Sequence, residues 1–186
     1  MSRILALIPL LALAAVPACS DSDNLPDPTN KNIVDTVTVG SLTDTPITTP
    51  SGFAVSAATA VRTDLDAGFD FAYDIEGPAE TGRRVVLPRA ALGITSGGTA
   101  EPGVMRREEP FDDIDAAPSN GYVTDSAVPV ALGERYIVRS RVVCDIGVPV
   151  YAKVEIIGFE DNSLVLKRLK DVNCGYRGLE PGLPDR

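Results

Sequence analysis

"YAKVEII", residues 151–157, is the stretch on which the fold turns. Ala152, Val154 and Ile156 alternate with Tyr151, Lys153 and Glu155, so one face is apolar and the other carries polar atoms. Alternation at period two specifies a half-buried antiparallel strand rather than a helix. Glu160-Asp161-Asn162-Ser163 follows as a turn, and LVLKRL (164–169) returns as a second strand. ERYIVRSRVV (134–143), rich in β-branched and aromatic residues, precedes as a third. The three together predict a β-meander.

Further upstream, short apolar runs recur with Gly, Pro, Asn and Asp between them. Residues 33–39, 54–62, 68–75, 83–87 and 121–124 are the remaining strand candidates. Phe111 to Ala116, stopped by Pro118, carries the one helical signal, enough for one or two turns. Residues 93–103 (GITSGGTAEPG) read as a mobile loop. Many short strands with turn residues between them imply an all-β antiparallel sandwich or barrel-like domain with little helix. We expect this domain to span residues 33–178, with 179–186 as a C-terminal tail.

The chain has 186 residues, enough for one domain, and a formal net charge of −9. An acidic surface repels phosphate backbones, so nucleic acid is disfavoured as a partner. There is no histidine. Its absence removes Ser-His-Asp and Cys-His nucleophile arrangements, HExxH zinc sites and histidine-ligated haem. No catalytic motif and no cofactor-binding motif is recognisable.

The N-terminus has a different character. Met1-Ser2-Arg3 supplies one positive charge and Ile4 to Val16 is uninterrupted apolar sequence, the layout of a secretory signal peptide. About 20 apolar residues are needed to cross a bilayer, so this run is too short to span. It ends in Val16-Pro17-Ala18-Cys19, which resembles the lipobox of bacterial lipoproteins. The resemblance implies cleavage between Ala18 and Cys19, a diacylglycerol on the Cys19 thiol and an acyl group on the new amine. Residues 1–18 would then be the signal peptide, and the membrane would be held through lipid. Two or more acyl chains anchor stably where one does not. Serine rather than aspartate follows Cys19, which by the same resemblance favours the outer membrane, facing the periplasm or the cell surface. Residues 19–32, with Pro26 and Pro28 and little to build a core, read as a lipidated flexible tether.

With Cys19 committed to lipid, Cys144 and Cys174 remain as a pair. An exported chain meets an oxidising compartment, where two such thiols join in a disulfide. Asp64, Asp66 and Asp70 place carboxylates at spacings a hard cation could use, although the distal bidentate glutamate of a calcium loop is missing. Arg83-Arg84 and Arg106-Arg107 could hold an anionic ligand, but each sits beside acids (Glu80; Glu108-Glu109), so surface ion pairing is the expected reading.

FDFAYDI (69–75) and YAKVEI (151–156) resemble strands of HmuY-type lipoproteins, which are β-rich haem-binding proteins of the outer membrane. That resemblance implies a β-rich fold; the haem-ligating histidines of the family have no counterpart here. The reading from sequence is therefore a lipid-anchored, non-catalytic binding or structural module of the bacterial envelope, with an envelope protein as a possible partner. The alternatives are a small-ligand carrier or a hydrolase built on an unrecognised carboxylate site.

Overall fold

Alternating apolar strands must bury one face, and here two five-stranded antiparallel sheets bury theirs against each other. The structure is a computed structural model and describes residues 25–97 and 100–185. The strands are β1 (Val34–Gly40), β2 (Gly52–Ala54), β3 (Thr59–Val61), β4 (Phe71–Glu76), β5 (Arg83–Pro88), β6 (Gly103–Arg107), β7 (Val128–Pro129), β8 (Arg135–Arg139), β9 (Tyr151–Glu160) and β10 (Ser163–Asp171). One sheet runs in the order β1-β10-β9-β8-β6 and the other β3-β2-β4-β5-β7. The all-β sandwich read from the sequence is the observed fold.

The meander is β8-β9-β10, consecutive in sequence and adjacent in the sheet. Its hairpin turns at Asp161 and Asn162, both at positive φ (46° and 61°). Two left-handed residues give the turn whose twist matches that of the flanking strands, and Asp and Asn tolerate that region best after glycine. Ala152, Val154 and Ile156 point into the core with Leu164 and Leu166 of β10 and meet Phe53, Phe71 and Tyr73 of the opposite sheet.

Several strand bounds differ from expectation. Residues 54–62 form a tight hairpin rather than one strand, with Ala58 at φ 52° and its N–H donating to the Val55 carbonyl. No Gly, Pro, Asn or Asp marks that turn, so apolar content there reads as continuous strand. Residues 121–124 contribute only a single bridge, Val123 to Val104. The strand they meet is β6, whose start fell inside the expected 93–103 loop. β8 stops at Arg139, because the Ser140 hydroxyl accepts from Val150 N (2.9 Å) and closes a loop there. Residues 111–116 supply only one 3-10 turn, Phe111–Asp113.

The largest departure lies on the outer face of the meander. Tyr151 and Lys153 were expected on a solvated face, yet they are 6% and 2% exposed. A strap over residues 111–117 and the C-terminal segment cover them, so Phe111, Ile114, Ile137, Tyr151, Leu169 and Leu179 make a second, smaller core. The Lys153 stem packs within this layer. Its ammonium donates to the Ile114 carbonyl (2.9 Å) and lies 4.7 Å from the centre of the Phe111 ring. Burial lowers the Lys153 pKa from its ordinary value, while Asp112 and Asp115 oppose that shift.

The expected tether and tail also change. Among the described residues, 25–32 lie on the body: Thr29 and Asn30 N–H donate to Asn173 Oδ1 (2.9 and 3.0 Å), and the Tyr176 hydroxyl donates to the Pro26 carbonyl (3.1 Å). Asn32 and Gly182 exchange a pair of backbone hydrogen bonds (2.7 and 3.0 Å). Leu179 is fully buried. The apolar content of 25–32 is too low to signal this docking. Backbone groups and the side chains of Asn173, Asn32 and Tyr176 hold the segment. The platform beneath it is fixed by the Cys144–Cys174 disulfide (Cα–Cα 5.8 Å).

Candidate functional site

Four groups converge at one end of the small outer core. Ala117 N–H donates to the Arg177 carbonyl (2.8 Å) and Leu179 N–H to the Asp115 carbonyl (2.7 Å), so the strap pairs with the C-terminal segment like a two-stranded ribbon. Beyond this ribbon the chain turns through Pro118, Ser119 and Asn120, opposite Arg107 at the end of β6. The result is an open cleft of about 470 Å³ lined by Arg107, Ala116, Ala117, Pro118, Ser119, Asn120 and Arg177.

Its electrostatics are set by arginine. Arg107 is paired with Glu109, and that contact holds the Glu109 carboxyl below the usual carboxylate range. Arg139 of β8 stands behind the cleft, donating to the carbonyls of Glu101 (2.8 Å) and Ser119 (3.3 Å) and lying 4.6 Å from the Tyr122 ring centre. The Arg177 side chain is exposed and makes no hydrogen bond or ion pair among the described residues. Tyr122 donates to the Pro118 carbonyl (2.8 Å) and stacks obliquely on Tyr151, with ring centres 6.4 Å apart. Burial raises the pKa of both tyrosines, while Arg139 and Arg177 pull each back down. Both hydroxyls therefore sit in a cationic field and stay protonated. No carboxylate lines the cleft, and its wall offers guanidinium donors, one hydroxyl and one amide. That arrangement suits an anionic group: guanidinium forms matched paired hydrogen bonds with carboxylate and phosphate.

The three candidate cation ligands do not come together. Asp64 accepts from Arg62 (2.6 Å), and Asp66 accepts from the Gly68 N–H (2.6 Å). Asp70 lies inside the protein, accepting from Val55 N (2.7 Å) and Arg141 N (2.8 Å). Among the described residues no cluster of three or more Cys, Asp or Glu is placed to hold a metal ion. Burial raises the Asp70 pKa to about 6 against those two N–H donors and the charges of Arg141 and Arg89. Its carboxylate bridges the two sheets, from the end of β2 to the loop after β8, and does not face the cleft.

Arg83 pairs with Glu76 rather than Glu80, and Arg106 with Glu134 (3.0 Å) as well as Glu108 (3.6 Å), so three of the four paired-arginine positions carry ion pairs, Arg107 with Glu109 included. Arg84 differs: it lies over the Phe159 ring, 4.5 Å from its centre. Ala18 and Cys19 lie outside the described residues. The sequence singles out Arg107, within Arg106-Arg107, as an anion-binding candidate, but not the cleft, because Arg177 lies 70 positions away and stands in no motif. The further signal was Arg177 in a glycine-flanked tail without a neighbouring acid. No protein-family model, curated protein or solved structure matches this chain.

Proposed function

We propose that this chain is an exported lipoprotein, held to the outer membrane by lipid on Cys19, whose sandwich is a non-catalytic binding module for an anionic group. The anchoring half rests on the apolar run that ends in Val16-Pro17-Ala18-Cys19-Ser20. The binding half rests on one observation: two arginines, Arg107 and Arg177, line a cleft that no carboxylate lines, with Arg139 behind it, in a chain of net charge −9. Cationic convergence against the overall charge costs electrostatic energy only partly offset by Glu109, and an incoming anion would relieve it. Carboxylate and phosphate, both abundant on bacterial envelope polymers, fit the donor geometry.

Calorimetric titration of the purified protein with inorganic phosphate and with a sugar carboxylate tests the reading. Arg177→Gln should weaken binding by roughly ten- to 150-fold, the loss of one charge-assisted hydrogen bond of roughly 1.5–3 kcal/mol. Stability should be unchanged, since the side chain is exposed. Absence of binding, or binding that ignores Arg177, would remove the anionic ligand from the proposal.

A protein partner is a second reading, favoured by β1. This seven-residue strand ends its sheet and leaves Val34 39% exposed, with Ile33 beside it at 59%. Free edges of this kind accept an added strand.

A further inference from the structure

The way the N-terminal segment docks has a consequence for how the body is held. Leu25 packs on Gly175, Pro26 receives the Tyr176 hydroxyl, and Asn173 clamps the backbone at Thr29 and Asn30. These contacts lie at the end of the sandwich where β10 finishes and β1 begins. Leu25 lies six positions after Cys19, so their Cα atoms cannot be more than about 22 Å apart at roughly 3.6 Å per residue. Were the chain free as far as residue 32, the same bound would be about 47 Å, and no face would be favoured.

We infer that this end of the sandwich is a membrane-facing surface that rests on the phospholipid headgroups. The inference rests on the lipoprotein reading. Ile33 is 59% exposed and Leu183 52%, and the Asn32–Gly182 bridge sets them beside the docked segment. The 144–147 turn, tied to the same platform by the disulfide, presents Ile146, also 52% exposed. Apolar side chains beside a short lipid-linked segment gain from entering the interfacial region. The opposite end, at the β9–β10 turn, is about 26 Å away along β10 at roughly 3.3 Å per residue. Asn173 and the disulfide thus decide orientation, because they fix the place of Leu25 and so the length of chain between Cys19 and the body.

The test uses full-length acylated protein in phosphatidylethanolamine–phosphatidylglycerol vesicles, with Cys19 acylation established by intact mass. An environment-sensitive fluorophore is placed on Leu183→Cys in one sample and on Glu160→Cys in another, the native disulfide left oxidised. Spin-labelled lipid should quench the Leu183 position several-fold more than the Glu160 position. Inserting about twenty Gly/Ser residues between Asn24 and Leu25 lengthens the connection between Cys19 and the body and should bring the two values together. Equal quenching in the acylated wild type overturns the orientation while leaving the anchor standing. Undiminished selectivity after the insertion overturns the argument from chain length. A Leu183 position shielded from solvent but not quenched by lipid means that a second copy covers this face, which also overturns it. An unacylated Cys19 refutes the anchoring and the orientation together.

Discussion

Asp70 makes the protein gain stability, at this one position, as the solution becomes more acidic. Its carboxylate is 1% exposed and accepts two backbone N–H bonds, from Val55 and Arg141. Burial outweighs those donors and lifts the pKa from 3.8 to about 6. An acid whose folded pKa exceeds its unfolded value binds its proton more tightly in the folded state. Its stabilising contribution is complete below pH 3.8 and is lost as pH rises through about 6. The full span is about 3 kcal/mol at 1.36 kcal/mol per pKa unit, and roughly 2 kcal/mol of it falls between about pH 7.5 and pH 4.5. Asp171 is raised by burial in the same direction, while Asp64 and Glu109 have lowered values and act oppositely, so the bare pH profile of the protein is a sum. Asp70→Asn isolates the group. The variant loses a roughly constant 1–3 kcal/mol, because its amide nitrogen faces one of the two N–H donors. The difference between wild type and variant, measured by guanidinium unfolding at both pH values, should grow by about 2 kcal/mol in favour of wild type at the lower pH. A difference independent of pH, or one that shrinks on acidification, would mean that the N–H donors and Arg141 outweigh burial, and would refute the reasoning.

Replacing Cys144 and Cys174 together by serine should lower stability by about 3–4 kcal/mol, from the loop entropy of a bridge 30 residues apart. Limited proteolysis should then cut within 25–32 as well as after Asp171, because the two segments share one platform. Lys153→Met keeps volume and removes a buried charge, so unfolding should shift by no more than about 1 kcal/mol; Lys153→Ala, which opens a cavity under Phe111, should cost about 2–4 kcal/mol. Gly175 sits at φ +83°, and a Cβ there would meet Leu25 Cδ2 at 2.5 Å. Gly175→Ala should therefore cost about 1–2 kcal/mol and expose the Leu25 region to protease, with the sandwich intact by circular dichroism.

Local patterns were enough for the frame. The alternation of 151–157, the Glu160–Ser163 turn and the β-branched runs on either side determined a meander, and the rest of the strand signals determined an all-β sandwich. The pairing of Cys144 with Cys174 was also legible in the sequence, since the lipobox resemblance reserves Cys19 for lipid and leaves these two as the expected pair. These features are legible because period-two alternation records burial on one face, and turn residues record where the backbone must reverse. Only the tertiary structure decided what covers the other face. Tyr151 and Lys153 look solvent-facing in sequence and are buried because the strap at 111–117 folds over them, a segment with no periodicity to announce it. Asp64, Asp66 and Asp70 look alike along the chain, yet packing sends the first to Arg62, the second to a local turn and the third between the sheets. The same holds for the cleft and the docked segment. Arg107 and Arg177 line one cleft, and Asn173 meets Thr29, across separations that no local pattern spans, because single hydrogen bonds and exposed charges leave no apolar trace in the sequence.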